Sequence, residues 1–137
     1  MEQRNKILHL IIDHQVIERS LGIFETLYPG QNEVLIFEKK DSYKHLHKYA
    51  ICQRVDDSNL DEFVKSYDFS DVKYVISHYM NLWMAEFILQ VPRYVHCCWE
   101  IYGYDLYNQF LEPQGLNIYY THPFKFQKYS LFRSLFP

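Results

Sequence analysis

Apolar residues fall in this chain into two spacings that alternate along its length, and the alternation predicts the elements. Ile7-Leu8-His9-Leu10-Ile11-Ile12 is a short run rich in β-branched residues and stopped by Asp13, the pattern of a strand buried on both faces. From His14 to Tyr28 the apolar positions Ile17, Leu21, Phe24 and Leu27 recur at helical spacing, with Asp13 placed to cap the helix and Pro29-Gly30 to end it. Glu33 to Glu38 predicts a second buried strand, and Lys48 to Val55 a third, after the polar connection Lys39 to His47. Asn59 to Tyr67 predicts a short amphipathic helix on Leu60, Phe63 and Val64, and Val72 to Ser77 a fourth strand. Asn81 to Gln90, carrying Leu82, Trp83, Phe87 and Ile88 and stopped by Pro92, predicts a largely buried helix, and Tyr94 to Trp99 a fifth strand.

Strands separated by helix-length segments imply right-handed crossovers, so the expected class is α/β: a Rossmann-like, mostly parallel sheet with helices on both faces. After Trp99 the periodicity gives way to an aromatic segment running through Pro113-Gln114-Gly115 to Phe136, which ends as it turns amphipathic and without a capping signal. The expected organisation is one domain over residues 1–137, cut from something longer. The 137 residues suit one such domain and are too few for two Rossmann units.

Composition removes some function classes. The 48% hydrophobic and 23% charged residues are ordinary for a globular chain, and a net charge of -3 supplies no basic field to recruit nucleic acid. Ile7 to Ile12 is too short for a signal peptide or a membrane span, which predicts a cytoplasmic domain. Cys52, Cys97 and Cys98 are odd in number and lack Cys-x-x-Cys spacing, so they are expected to be reduced packing residues. His45 and His47 flank Leu46 in a Lys-rich turn and are expected to be solvated, while His96-Cys97-Cys98 lies in a strand that sends neighbours to opposite faces. No metal site is expected. With four glycines, and Ile12-Asp13-His14 after the first strand, there is no phosphate loop, so no cofactor or nucleotide is expected to be held by this domain alone.

In an open parallel sheet, ligands bind beyond the carboxyl ends of the strands. Asp13, His78, Glu100 and, a turn later, Asp105 are polar groups at or just past those ends, and a histidine with carboxylates there can take a proton from a sugar hydroxyl near neutral pH. All but Glu100 have a plainer reading beside this one. Asp13 and Asp105 read as helix caps, His78 as a hydrogen-bonded loop histidine, and Trp99 and Tyr107 as core.

The run Trp99-Glu100-Ile101-Tyr102-Gly103-Tyr104-Asp105-Leu106-Tyr107 resembles the N-acetylfucosamine transferases of enterobacterial common antigen synthesis, the 4-alpha-L-fucosyltransferase family, whose members carry a Trp and then an aromatic-Gly-x-Asp-Leu-Tyr run. His78 closing a strand, with Asn81, Leu82, Trp83 and Ala85 after it, the opening Ile7-Leu8-His9-Leu10, and Tyr129 to Leu135 carry the resemblance over the whole chain, but only over the first part of the family's length. This sequence departs from the family at Tyr79, where relatives can have glycine, and at Glu100, where they can have histidine. The resemblance implies the N-terminal, acceptor-side domain of a two-domain GT-B glycosyltransferase that moves an amino-deoxy sugar from a dTDP-sugar to a lipid-linked saccharide. It implies catalytic roles for His78, Asp105 and Glu100 and acceptor contacts for Asp13, Trp99, Gly103 and Tyr107, with the donor held by a domain outside the chain. The mixed basic and aromatic segment His122 to Arg133 would suit peripheral contact with a membrane, or packing on that second domain. The rival expectation is a non-enzymatic flavodoxin-like domain that binds a protein partner through its aromatic surface.

Overall fold

The computed structural model describes residues 5–39, 42–46, 53–103, 106 and 111–115. The chain divides into two compact units, Met1–Glu100 and Ile101–Pro137, and every strand among the described residues lies in the first. Its elements in chain order are β1 (Lys6–Ile11), α1 (Gln15–Leu27), β2 (Asn32–Ile36), β3 (Gln53–Arg54), α2 (Leu60–Ser66), β4 (Val72–Ser77), α3 (Leu82–Gln90) and β5 (His96–Trp99). In the second unit a short 3-10 turn covers Glu112–Gln114.

The five strands form one sheet in the order β3-β2-β1-β4-β5, and every pairing is parallel. The α/β Rossmann-like expectation therefore holds. Parallel pairing explains the composition of β1: a strand covered on both faces needs apolar side chains at successive positions, and Ile7, Leu8, Leu10 and Ile11 are all buried. Between them sits His9, which is fully buried as well.

Right-handed crossovers put α1 on one face and α2 with α3 on the other, because the chain runs from β1 outward to β2 but from β4 outward to β5 in the opposite direction. On the first face Ile17 and Leu21 of α1 pack with Ile11, Val34, Ile36 and Leu46. On the second, Phe87 of α3 is met by Phe37, Phe63 and Phe69 with ring centroids 5.6, 6.2 and 6.0 Å apart. Burying an aromatic side chain of this kind is worth about 1.5–3 kcal/mol, so this cluster anchors α2 and α3 to the sheet. The direction reverses between β1 and β4, and the carboxyl ends of those two strands form the switch point where open α/β sheets bind ligands.

Most boundaries fall within two residues of the sequence expectation. The third strand is the shortest match, since Gln53–Arg54 is the part of Lys48 to Val55 that lies within the described residues. Two local expectations are corrected. Asp13 does not cap α1: His14 is the N-cap, its imidazole accepting from the Val16 N–H at 3.2 Å, because the Asp13 carboxylate is turned toward another segment. Cys97 and Cys98 carry free thiols but are exposed on the outer strand of the sheet instead of packed. Cys52 and His47 lie outside the described residues, while His45 is half-buried. Among the described residues, no helix is long and apolar enough to cross a membrane.

Candidate active site at the switch point

Strand alternation decides which side chains can meet. His9 pairs with Ile76 and with Val34 in register, and Ser77 with Trp99, so His9, Asn32, His78 and Glu100 share the face covered by α1, and Trp99 points to the opposite face. The backbone carries the pattern past the strand ends: the His78 N–H donates to the Leu10 carbonyl at 2.9 Å and the Glu100 N–H to the Ser77 carbonyl at 2.8 Å. These two bonds fix both residues at the switch point.

The side chains on that face form a continuous row of polar contacts at hydrogen-bonding distance. Glu100 Oε2 lies 2.6 Å from His78 Nδ1, His78 Nε2 lies 2.8 Å from His9 Nδ1, and His9 Nε2 lies 3.0 Å from Asn32 Oδ1. The Asn32 amide nitrogen then donates to Glu25 Oε2 at 2.8 Å, to the Tyr28 carbonyl at 2.7 Å and to the Phe24 carbonyl at 3.3 Å. Those three acceptors settle which way the amide faces, so its oxygen is the atom turned to His9. Phe24 roofs the two imidazoles edge-on, with centroids 4.8 Å from His9 and 5.8 Å from His78.

Burial grades the row. Both imidazoles are fully buried, whereas the Glu100 side chain keeps 42% of its surface exposed. Burial pushes the His9 imidazole down to about 4, with the Asn32 bond opposing the shift. Burial also lowers the His78 pKa, and the charge and hydrogen bond of Glu100 work against it. The group in contact with solvent is thus a carboxylate backed by a buried histidine pair whose surroundings favour the neutral form. A hydroxyl placed against Glu100 could pass its proton to the carboxylate, with His78 2.6 Å behind it.

The structure brings together His78 and Glu100 out of the residues singled out from sequence. Asp13 is used locally: its carboxylate accepts from the backbone N–H groups of Lys44, His45 and Leu46 at 2.7, 2.9 and 3.2 Å. Burial raises its pKa, but those three bonds outweigh burial and hold the carboxyl below its ordinary value. Trp99 is half-buried at the end of β5. In the second unit, Gly103 has φ +84°, in the left-handed region that favours glycine. Asp105 and Tyr107 lie outside the described residues, as does the segment His122 to Arg133.

Sequence reasoning missed His9 and Asn32. The signal for His9 was its place in an otherwise apolar, doubly covered strand, where an imidazole without partners would cost a few kcal/mol. Its partners could not be read, because they depend on β1 lying between β2 and β4. A hollow lined by Lys6, Gly30, Glu33 and Asp71 lies at the opposite, amino edge of the sheet. Lys6 is already paired there with Glu33 and Asp71, each at 3.2 Å, so its cation is shared by two carboxylates. Comparison with protein-family models, with curated proteins and with solved structures finds no match to this chain.

Proposed function

We propose that this chain is the acceptor-side domain of a glycosyltransferase, in which Glu100 is the base that activates an acceptor hydroxyl. The observation that carries the reading is the part-exposed carboxylate at the sheet's switch point, 2.6 Å from a fully buried histidine. The substrate class comes from the resemblance of Trp99 to Tyr107 and of His78 to Ala85 to the N-acetylfucosamine transferases. On this reading the acceptor is a lipid-linked saccharide, the donor is a dTDP-type amino-deoxy sugar held by a domain outside the chain, and contact with the cytoplasmic membrane surface is peripheral. The acceptor oxygen bonds to the anomeric carbon as the bond from that carbon to the nucleotide phosphate breaks, and the hydroxyl proton passes to Glu100. His78 is not open to a substrate; it stabilises the proton that Glu100 has taken. Asp105 and Tyr107 keep their proposed roles by resemblance alone.

One feature favours the rival reading. Val16, Ile23 and Leu27 are exposed at spacings of seven and four on α1, an apolar stripe that a protein partner could cover. Titrating a short-prenyl diphosphate saccharide into the 15N-labelled chain separates the two readings. Acceptor binding predicts amide shifts at His78, Tyr79 and Glu100. An absence of shifts at up to millimolar saccharide, or shifts confined to α1, would leave the interaction domain as the better account.

A further inference from the structure

The row of polar contacts has only certain ways of placing its protons, and these ways are set from the Asn32 end. Asn32 offers its oxygen to His9, so His9 Nε2 must carry a hydrogen. In a neutral imidazole the other nitrogen is then a lone pair, which leaves His9 Nδ1 as the acceptor for a hydrogen on His78 Nε2. By the same rule a neutral His78 has a lone pair at Nδ1, facing the Glu100 carboxylate. Two acceptors 2.6 Å apart form a seat for one proton. With that seat filled, the proton can sit on Glu100, on His78 or, by one further transfer along the row, on His9. It can go no deeper, because the Asn32 oxygen already holds the Nε2 hydrogen in every case.

We infer that Asn32 and His9 are positioning residues that lock the histidine pair in its Nε2–H tautomers, so that His78 presents a bare Nδ1 to Glu100 and the three groups share one proton taken from the acceptor. The step balances: the hydroxyl O–H bond breaks, the proton passes to the carboxylate, and it comes to rest in the bond between Oε2 and Nδ1. Without the lock, His78 could carry its hydrogen on Nδ1 and fill the seat beforehand, leaving Glu100 a weaker base. The charged and titratable groups that face the pair are Glu100 after β5 and Glu25 on α1, the latter tied to Asn32. The inference rests on Glu100 being the base of the transfer reaction.

Long-range 1H–15N spectra of the histidine rings read the tautomers directly, since protonated and bare ring nitrogens resonate far apart. In the wild-type chain at pH above 7, both His9 and His78 are expected to show a protonated Nε2 and a bare Nδ1, with His78 Nδ1 moving before His9 Nδ1 as pH falls and the seat fills. In Asn32→Leu the acceptor on His9 is gone, and the pair is expected to flip, with His78 protonated at Nδ1. In that variant the donor-saturated rate should drop by about tenfold or more with the KM for acceptor little changed. A wild-type spectrum with His9 protonated at Nδ1, or an even mixture of tautomers at either ring, would overturn the inference, and so would an Asn32→Leu variant that keeps the wild-type tautomers. Should Asn32→Leu fail to fold, the wild-type spectrum decides alone. No sugar enters these spectra, so a wrong tautomer defeats the lock and leaves the transfer reading standing, whereas a correct tautomer in a protein that transfers nothing keeps the tautomer assignment and defeats the transfer reading together with the catalytic role given to the lock.

Discussion

His9 is a titratable group placed where water cannot reach it, and this ties the protein's stability to pH. Its pKa is about 4 in the fold against 6.5 for a free imidazole, so between those values the unfolded chain binds a proton that the folded chain does not. Stability contributed by the neutral form is present above pH 6.5 and is lost as pH falls toward 4, by about 3 kcal/mol at most. His78 adds a slope of the same sign, since its pKa is also lowered. Urea midpoints measured from pH 8 to pH 4 should therefore fall steadily. In His9→Leu they should start lower, because His78 Nε2 and the Asn32 oxygen lose their partner at about 1–3 kcal/mol, and should then fall less steeply. A His9→Leu curve parallel to wild type would mean that His9 is charged in the fold.

The elements that hold the site are stabilised at their ends by single polar residues. Asn81 caps α3, its oxygen accepting from the Met84 N–H at 2.9 Å while its amide donates to the Phe37 carbonyl at 3.2 Å, so it joins α3 to the end of β2. Asn81→Ala should cost about 1–2 kcal/mol, readable as a lower thermal midpoint, with α3 amides exchanging faster than those of β1. Asp13 does comparable work for residues 44–46 through its three backbone bonds. The contrast between these two residues shows what a sequence can say. Asn81 stands directly before a helical apolar run and was expected to open it; Asp13 stands before one as well, yet its partners lie some thirty residues away in a loop with no periodicity. The buried strand Lys6–Ile11 was legible because a doubly covered strand must be largely apolar. His9 broke that pattern without disclosing its partner, because strand neighbours are set by the order of the sheet and not by position in the chain.

At the scale of the molecule, the reversal of chain direction between β1 and β4 brings distant segments to one place. His9 and His78 are 69 residues apart in the chain and 2.8 Å apart in the fold, and Glu100 joins them only because β5 lies beside β4. The parallel class of the sheet followed from the alternation of spacings. The convergence of His78 with Glu100 was foreseen only as a shared edge, and the buried row behind them depends on strand order and register. The resulting base should work only when the seat between Glu100 and His78 is empty, so sugar transfer should fade as pH falls below the ordinary imidazole range.

The most direct test is transfer of labelled sugar from dTDP-N-acetylfucosamine to a polyprenyl-diphosphate saccharide by the full reading frame containing this chain, beside its Glu100→Gln variant. The account predicts transfer by the wild type and a rate roughly 10²–10⁴-fold lower in the folded variant. A wild type inactive with a range of dTDP- and UDP-sugars, or a variant that matches it, would contradict the claim that Glu100 is the base of a glycosyl transfer.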